Sequence, residues 1–189
     1  LATGVAVLAG CDRPDPAPTP PTPPSPAPIP DAVAAADRLR DAGKVVEAVE
    51  AYAAHAGANP RDPLPWVRIG VVLRDNGQFD DAVEALAKAK EREAAPTDTD
   101  ALLAECVLGA GRADDALRMA RAAAKDLPRS PEALRVLAAS CRVHGLFDEQ
   151  IAALEKRVAL SPDDADALVD LGGALYPVKA WERLGAVGE

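Results

Sequence analysis

Residues 66–89 read WVRIGVVLRDNGQFDDAVEALAKA, in which Gly77 separates two segments of helical apolar spacing. The glycine recurs every 34 residues along the chain, at Gly43, Gly77, Gly111 and Gly145. A period of this length is typical of stacked helical hairpins, because each hairpin buries its apolar side only against its neighbours. The sequence therefore predicts an extended all-α array that offers a binding surface rather than an enclosed catalytic pocket.

The composition favours closely packed helices. Apolar residues make up 49% of the chain but aromatic residues only 3%, so small aliphatic side chains must form most of the core. The net charge is −9, and residues 31–189 carry −8 of it, since residues 1–30 contribute −1 through Asp12, Arg13 and Asp15. Such an acidic folded part disfavours binding to nucleic acid or to an anionic lipid surface.

An apolar run, LATGVAVLAG, occupies residues 1–10 and is followed by Cys11. It is too short to span a bilayer but suits the end of a secretory signal. The sequence Leu8-Ala9-Gly10-Cys11 resembles a bacterial lipobox, at which a lipoprotein precursor is cut before a cysteine that receives the lipid. The resemblance implies that residues 1–10 are a signal-peptide remnant with more sequence upstream. It also implies that Cys11 carries a diacylglycerol and an acyl chain such as palmitate. The alternative is a chance cysteine after an ordinary signal.

Residues 11–30 form a predicted disordered linker behind that cysteine. Ten of the 18 residues from 13 to 30 are prolines, which exclude both helix and sheet. The segment should be an extended polyproline-like stalk. An alternative use is as a PxxP ligand for an aromatic-lined groove.

Helical periodicity begins at Asp31, so residues 31–189 are the predicted folded domain. Pro177 should end the ninth helix before a short last helix that carries Trp181 and Leu184. The predicted helices are 31–42, 45–57, 64–76, 79–92, 98–110, 113–125, 131–144, 147–160 and 164–176. Helix caps are expected from Thr97 or Asp98, from Ser130 and from Ser161.

The repeat resembles the tetratricopeptide repeat over residues 31 to about 176. The second unit matches the large, small and turn positions of that family best, with Trp66, Ile69, Gly70, Leu73, Gly77, Phe79, Ala82, Leu86 and Ala89. The fourth unit departs from the pattern, because it has Gln150 where alanine is usual. The resemblance implies a right-handed superhelix of about four and a half helix-turn-helix repeats.

In that family the first helix of each repeat lines a concave groove. The resemblance therefore implies a partner-binding groove here, in which valines and leucine take apolar side chains and arginines engage carboxylates or carbonyls. The alternative for each arginine is an ordinary solvated ion pair within the array. The residues of the predicted groove are Val67, Val71, Arg74, Glu105, Leu108, Arg135 and Arg142.

Motifs that carry chemistry are few. Cys106 and Cys141 lie 35 residues apart on neighbouring predicted helices, an offset that favours two buried thiols over a disulfide. No metal-binding spacing of cysteine and histidine occurs. Nucleophile motifs, Walker loops and dinucleotide fingerprints are also missing, so neither a cofactor nor an enzymatic activity is predicted.

Together these features predict a lipid-anchored scaffold of the bacterial cell envelope, on the periplasmic or extracytoplasmic face of a membrane. It would hold a protein or peptide partner near that membrane at a raised effective concentration. Two alternatives remain open. The chain could be the docking or regulatory portion of a larger enzyme, or it could assemble with copies of itself through exposed repeat ends.

Overall fold

The computed structural model describes residues 31–92 and 98–185, with side chains up to residue 176. Within these residues the chain is all-α, has no strand and forms nine helices. They are α1 (Asp31–Asp41), α2 (Val45–Ala58), α3 (Leu64–Asp75), α4 (Phe79–Lys90), α5 (Thr99–Gly109), α6 (Ala113–Asp126), α7 (Pro131–Val143), α8 (Phe147–Leu160) and α9 (Ala165–Gly185). Helices α1 to α8 form four hairpins, and each hairpin packs on the next to give an all-α superhelix. The predicted bounds of these eight helices agree with the observed ones to within about two residues.

One glycine in each hairpin turn adopts the left-handed backbone conformation. The φ angles of Gly43, Gly77, Gly111 and Gly145 are 74°, 75°, 80° and 68°, in a region where a Cβ would be strained. At the end of α3, Gly77 N and the next backbone N–H each donate to carbonyls of the last turn at 2.9 Å. These bonds satisfy carbonyls that the helix end leaves free. The predicted role of the 34-residue glycine period is confirmed.

Gly70 allows α3 and α4 to approach closely. A Cβ built at Gly70 would lie 2.6 Å from Leu86 Cγ, and Leu86 is only 1% exposed. The leucine therefore packs directly on the backbone of α3. Ala104 and Ala138 hold the equivalent position in the next two hairpins, and both are buried.

Gly109 makes a second close approach, which the repeat pattern does not predict. A Cβ at Gly109 would lie 2.5 Å from two ring carbons of Phe79. The ring at the start of α4 thus packs on the backbone of α5 and joins the second hairpin to the third.

The core is a series of clusters between successive helices. Tyr52 and Ile69 belong to the cluster that joins the first two hairpins. The cluster between the third and fourth hairpins is built mostly of alanines, among them Ala104, Ala120 and Ala133. Small side chains thus fill most of the core, as the composition predicted.

Capping of α5 and α7 differs from the prediction at one of the two helices. Ser130 Oγ accepts a hydrogen bond from Ala133 N at 3.1 Å and caps α7, as predicted. Asp98 does not cap α5, because its carboxylate instead accepts a hydrogen bond from Ser130 Oγ at 2.8 Å. Thr97, the other predicted cap of α5, lies outside the described residues.

The observed start and end of α9 also differ from the prediction. Ser161 is the C-cap of α8, and Asp164 Oδ1 accepts the hydrogen bond from Ala167 N that caps α9. The helix then continues through Pro177 to Gly185, so the predicted break and the separate last helix are wrong. A proline inside a helix removes a backbone hydrogen bond, a local loss that the turns on either side can tolerate.

The predicted signal remnant, lipidated Cys11 and proline-rich linker all lie outside the described residues. In the described part of the chain, no helix is both long enough and apolar enough to cross a bilayer.

Candidate functional site

The first helices of the hairpins form the inner layer of the array. Helix α3 contacts α5, and α5 contacts α7, in addition to the contacts between sequence neighbours. These contacts between alternate helices draw the first helices together on the inside of the curve. We call the surface of α3, α5 and α7 on this side the inner face. The predicted groove residues are distributed over these three helices.

Five charged side chains cross the inner face. Arg74 Nη1 on α3 donates to Glu105 Oε2 on α5 at 2.9 Å, and Arg135 Nη2 on α7 lies 2.8 Å from Glu105 Oε1. Asp75 accepts two hydrogen bonds from Arg74, at 3.0 and 2.8 Å. Glu132 accepts two from Arg135, at 3.1 and 2.6 Å. We call these five residues the ion ladder, since their alternating charges link three successive repeats.

The ion ladder stabilises the charged forms of Glu132, Arg135 and Arg74. Hydrogen bonding to Arg135 lowers the pKa of Glu132, and the same contact raises the pKa of Arg135. Burial lowers the pKa of Arg74, but its hydrogen bonds and the charges of its carboxylate partners outweigh this effect and raise the pKa. Arg74 and Arg135 are therefore engaged in ion pairs within the array, which is the alternative that the sequence left open for them.

Acid should weaken the array through its ion-paired carboxylates. The folded pKa values of Glu132 and Glu149 are lowered from the ordinary 4.5, by hydrogen bonds from Arg135 and Arg121 respectively. Groups with lowered folded pKa contribute stability above their unfolded pKa and lose it as the pH falls through the folded value. We expect the urea midpoint of unfolding to fall as the pH is lowered from about 6 to about 3.

Two matched variants check the origin of this pH dependence. Glu132→Gln should flatten the fall in the urea midpoint, because it removes one of the three described carboxyls whose pKa is lowered, the others being Glu149 and Asp164. Glu84→Gln should leave the fall unchanged, since Glu84 is exposed and makes no ion pair with the described residues. An equal pH dependence in all three proteins would show that the ion ladder does not contribute.

The other residues of the predicted groove differ in their exposure. Val67 is 7% exposed and packs in the core between the second and third hairpins, so it is unavailable to a partner. Val71 and Leu108 are half-buried, and each lies three residues from a member of the ion ladder on its own helix, which places it on the same face. Arg142 is exposed and forms no ion pair with any described residue.

Asp37, beside the predicted groove in the first repeat, has a structural role. Tyr52 Oη on α2 donates to Asp37 Oδ1 at 2.5 Å. Arg40 Nη1 and Arg68 Nε approach the same oxygen at 3.3 and 3.5 Å. Burial and the hydrogen bond to Asp37 raise the pKa of Tyr52, so its hydroxyl remains a donor. The carboxylate thus links α1, α2 and α3.

A cleft of ≈ 520 Å³ opens between α7, α8 and α9, and we call it the α9 cleft. Its volume lies within the range of ligand sites, about 300–1,000 Å³. Ala138, Leu154 and Ala174 contribute an apolar lining, and Arg142 also lines it. Gly173 lines the cleft from α9, and a Cβ built there would meet no atom within 4 Å. The small residues of α7 and α9 therefore leave this part of the array open.

Gln150 contributes a polar amide to the lining of the α9 cleft. The residue is 6% exposed, and its side chain lines the cleft and forms no hydrogen bond with the described residues. Its amide is not one of the described buried polar atoms that lack a partner, so it is open to the cleft and can hydrogen-bond a molecule there. Gln150 stands where the repeat usually has alanine, and this departure is visible in the sequence, but it does not by itself indicate a cleft.

The described residues include two cysteines. Cys106 and Cys141 are free and buried, as predicted, and burial raises the pKa of each to about 11. They therefore remain protonated thiols near neutral pH. Within the described ranges, no group of three His, Cys, Asp or Glu side chains is placed to hold a metal ion.

Comparison with known sequences identifies the repeat. Two sequence profiles described as tetratricopeptide repeat match residues 33–99 and residues 73–140. A curated relative, the Protein CTR9 homolog of Arabidopsis thaliana, is 28% identical over 130 residues. That alignment covers 67% of this chain but only 12% of the length of the relative.

Comparison with solved structures supports the same fold. MamA 41-end from Desulfovibrio magneticus RS-1 has a TM-score of 0.66 and 20% identity, covering 78% of this chain and 84% of that one. The crystal structure of YrrB, described as a TPR protein with an unusual peptide-binding site, has a TM-score of 0.59 and 16% identity. Its match covers 78% of this chain and 76% of the YrrB chain. At these identities the likeness concerns the fold.

Proposed function

The chain belongs to the tetratricopeptide repeat family, and we propose that it is a membrane-tethered scaffold of the bacterial cell envelope. In this proposal its inner face binds a protein or peptide partner, and a lipid on Cys11 holds the array near a membrane. The proposal assigns no catalytic step to the chain.

The observation that carries the binding role is the continuity of the inner face across three repeats. The ion ladder runs from α3 to α7, with Val71 and Leu108 half-buried beside it. An apolar surface flanked by fixed charges can bury a partner's side chains and set its orientation. The peptide-binding site named for YrrB, which has the same fold, supports this assignment by analogy.

Leu108→Glu should abolish partner binding while the array stays folded. Leu108 occupies the same repeat position as Arg74 and Arg142, 34 residues to either side, so the fold accepts a charged side chain there. Loss of the apolar contact and a new charge beside Glu105 should weaken binding by at least about tenfold. The measurement is capture of the partner from envelope extracts, with circular dichroism as the folding check.

Val46→Glu is the matched control, because Val46 is an apolar residue on α2 with 67% exposure and lies outside the inner face. It introduces the same charge but should leave capture unchanged. Equal partner capture by Leu108→Glu and Val46→Glu would show that the inner face is not the binding surface.

The tether is proposed from the sequence before Asp31. A lipobox-like LAGC ending at Cys11 is followed by the proline-rich segment 13–30. An extended proline spacer can separate a folded domain from its anchor while keeping it near the membrane surface. In this proposal the lipid anchor, the proline-rich spacer and the partner-binding repeat array follow one another along the chain.

Cys11→Ser should release the protein from the membrane fraction and abolish its labelling by a radioactive or alkyne-bearing fatty acid. The reason is that serine offers no thiol for lipid attachment, whereas the repeat array is unchanged. Thr19→Ser, a change within the linker, is the control and should remain membrane-bound. A Cys11→Ser protein that stays in the membrane fraction would contradict the tether.

A further inference from the structure

We propose that the α9 cleft is the specificity pocket of the inner face. Its occupant is an extended peptide segment in which an apolar side chain stands next to an aspartate or glutamate. The inference rests on the proposed binding function and deepens it by assigning the chemistry of the bound segment. The observations that carry it are an apolar lining, an amide that faces the cleft and an exposed arginine of the lining that makes no ion pair with the described residues.

The lining of the cleft selects an apolar side chain. Ala138, Leu154 and Ala174 present aliphatic surface from three different helices. Gly173 leaves the α9 side open, since a Cβ there would meet no atom within 4 Å. The volume of ≈ 520 Å³ accommodates a branched or aromatic side chain together with adjoining backbone.

Gln150 supplies recognition of the peptide backbone. Gln150 lines the cleft and makes no hydrogen bond to the described residues, and its amide is open to the cleft. A side-chain amide has both donors and an acceptor, so it matches the C=O and N–H groups of an extended chain.

Arg142 supplies the preference for a carboxylate. The other charged residues that line the cleft are engaged elsewhere: Arg135 pairs with Glu105 and Glu132, and Asp170 pairs with Arg157 at 2.9 Å. Arg142 has no such partner among the described residues, so its guanidinium can donate hydrogen bonds to the carboxylate of a bound segment.

The geometry favours a carboxylate on a side chain over one at a chain end. Capture of a terminal carboxylate uses several convergent donors, whereas this cleft offers one unpaired guanidinium and one amide. The cleft is also open to solvent rather than enclosed, which allows a chain to continue past it.

Two neighbouring glycines provide a blocking variant and its matched control. Gly173→Leu places a side chain in the cleft, and Gly172→Leu places the same side chain on α9 at a residue that does not line the cleft. Neither added Cβ meets an atom within 4 Å. Leucine is a better helix former than glycine, so neither variant should melt below the unaltered protein.

The test uses the whole chain, residues 1–189, labelled with ¹⁵N and titrated with four synthetic peptides. All four are acetylated at the N-terminus, and three are amidated at the C-terminus. The peptides share a glycine-serine host and carry Leu-Glu, Leu-Gln or Ser-Glu at the centre, and a fourth ends in leucine with a free carboxylate. Leu-Glu should shift amide signals of α7, α8 and α9. Leu-Gln should bind about fivefold more weakly, and Ser-Glu about tenfold more weakly.

The variants show whether the peptide binds in the α9 cleft or on another surface. Gly173→Leu should lose the Leu-Glu titration, Gly172→Leu should keep it, and Arg142→Gln should bind Leu-Glu and Leu-Gln equally. Equal binding by the two leucine variants, no titration at all, or tighter binding of the free-carboxylate peptide would each overturn the proposal. If the cleft fails in this way while Leu108→Glu still abolishes partner capture, the binding role of the inner face stands without it.

Discussion

Replacement of Leu86 by alanine should destabilise the repeat domain by about 3 kcal/mol. Leu86 is 1% exposed and packs on the backbone of α3 at Gly70, in the core that joins the second and third hairpins. Its removal loses apolar burial and leaves a cavity that helices held by tight turns cannot readily close. For a domain of this size the melting temperature should fall by roughly 10 °C. Urea unfolding followed by circular dichroism provides the free energy.

A double-mutant cycle with Gly70 tests whether Leu86 packs closely on the backbone at Gly70. In the unaltered protein the methyl group of Gly70→Ala would lie 2.6 Å from Leu86 Cγ, so the gain in helix propensity is cancelled by overpacking. In the Leu86→Ala background the same methyl group enters the vacated space and should restore about 1 kcal/mol. Strictly additive effects would contradict close packing between the two residues.

Gly172→Ala is the control for this cycle, because Gly172 holds the same repeat position as Gly70. A Cβ at Gly172 meets no atom within 4 Å. The substitution should therefore stabilise the protein by about 1 kcal/mol through helix propensity alone. The contrast between two glycines at one repeat position isolates the effect of the neighbouring leucine.

Replacement of Tyr52 by alanine should cost about 4 kcal/mol. Tyr52 is 0% exposed, and its ring fills the core between the first two hairpins. Tyr52→Phe keeps the ring and removes only the hydrogen bond to Asp37, whose carboxylate is still near Arg40 and Arg68. The phenylalanine variant should therefore lose only about 1 kcal/mol.

Hydrogen exchange shows which helices lose stability in Tyr52→Ala. Because each hairpin contacts only its neighbours, Tyr52→Ala should speed exchange in α1 and α2 more than in α7 and α8. Equal losses for the alanine and phenylalanine variants would mean that the hydroxyl, and not the packed ring, holds the first repeat.

The fold was predictable because its main determinant is local and periodic. Gly77 and its three equivalents adopt positive φ in the hairpin turns, so their spacing determines the positions of the four hairpins that α1 to α8 form. The predictions of the α5 cap and of the end of α9 were wrong, because contacts elsewhere in the fold override the local sequence preference. Asp98 is engaged by Ser130 from the next repeat, and α9 continues through Pro177 although a proline usually marks a boundary.

The candidate site was only partly predictable, because pairing across repeats depends on three-dimensional register. The repeat pattern placed Arg74, Glu105 and Arg135 on one face, but it did not reveal that Glu105 bridges the two arginines. It also left Val67 exposed, whereas packing of α3 against the next hairpin buries it. The α9 cleft depends on small residues of separate helices, a coincidence that no single repeat encodes.

Site-specific photo-crosslinking in cells tests most directly whether the inner face binds the partner. A photoreactive amino acid at Leu108 lies on the inner face, and one at Arg118 lies on α6, where the native side chain is 75% exposed. We predict that a discrete crosslinked protein forms from position 108 and not from position 118, and that Leu108 crosslinking is competed by added repeat domain. Crosslinks from position 118 alone, or from neither position, would contradict the inner face as the binding surface.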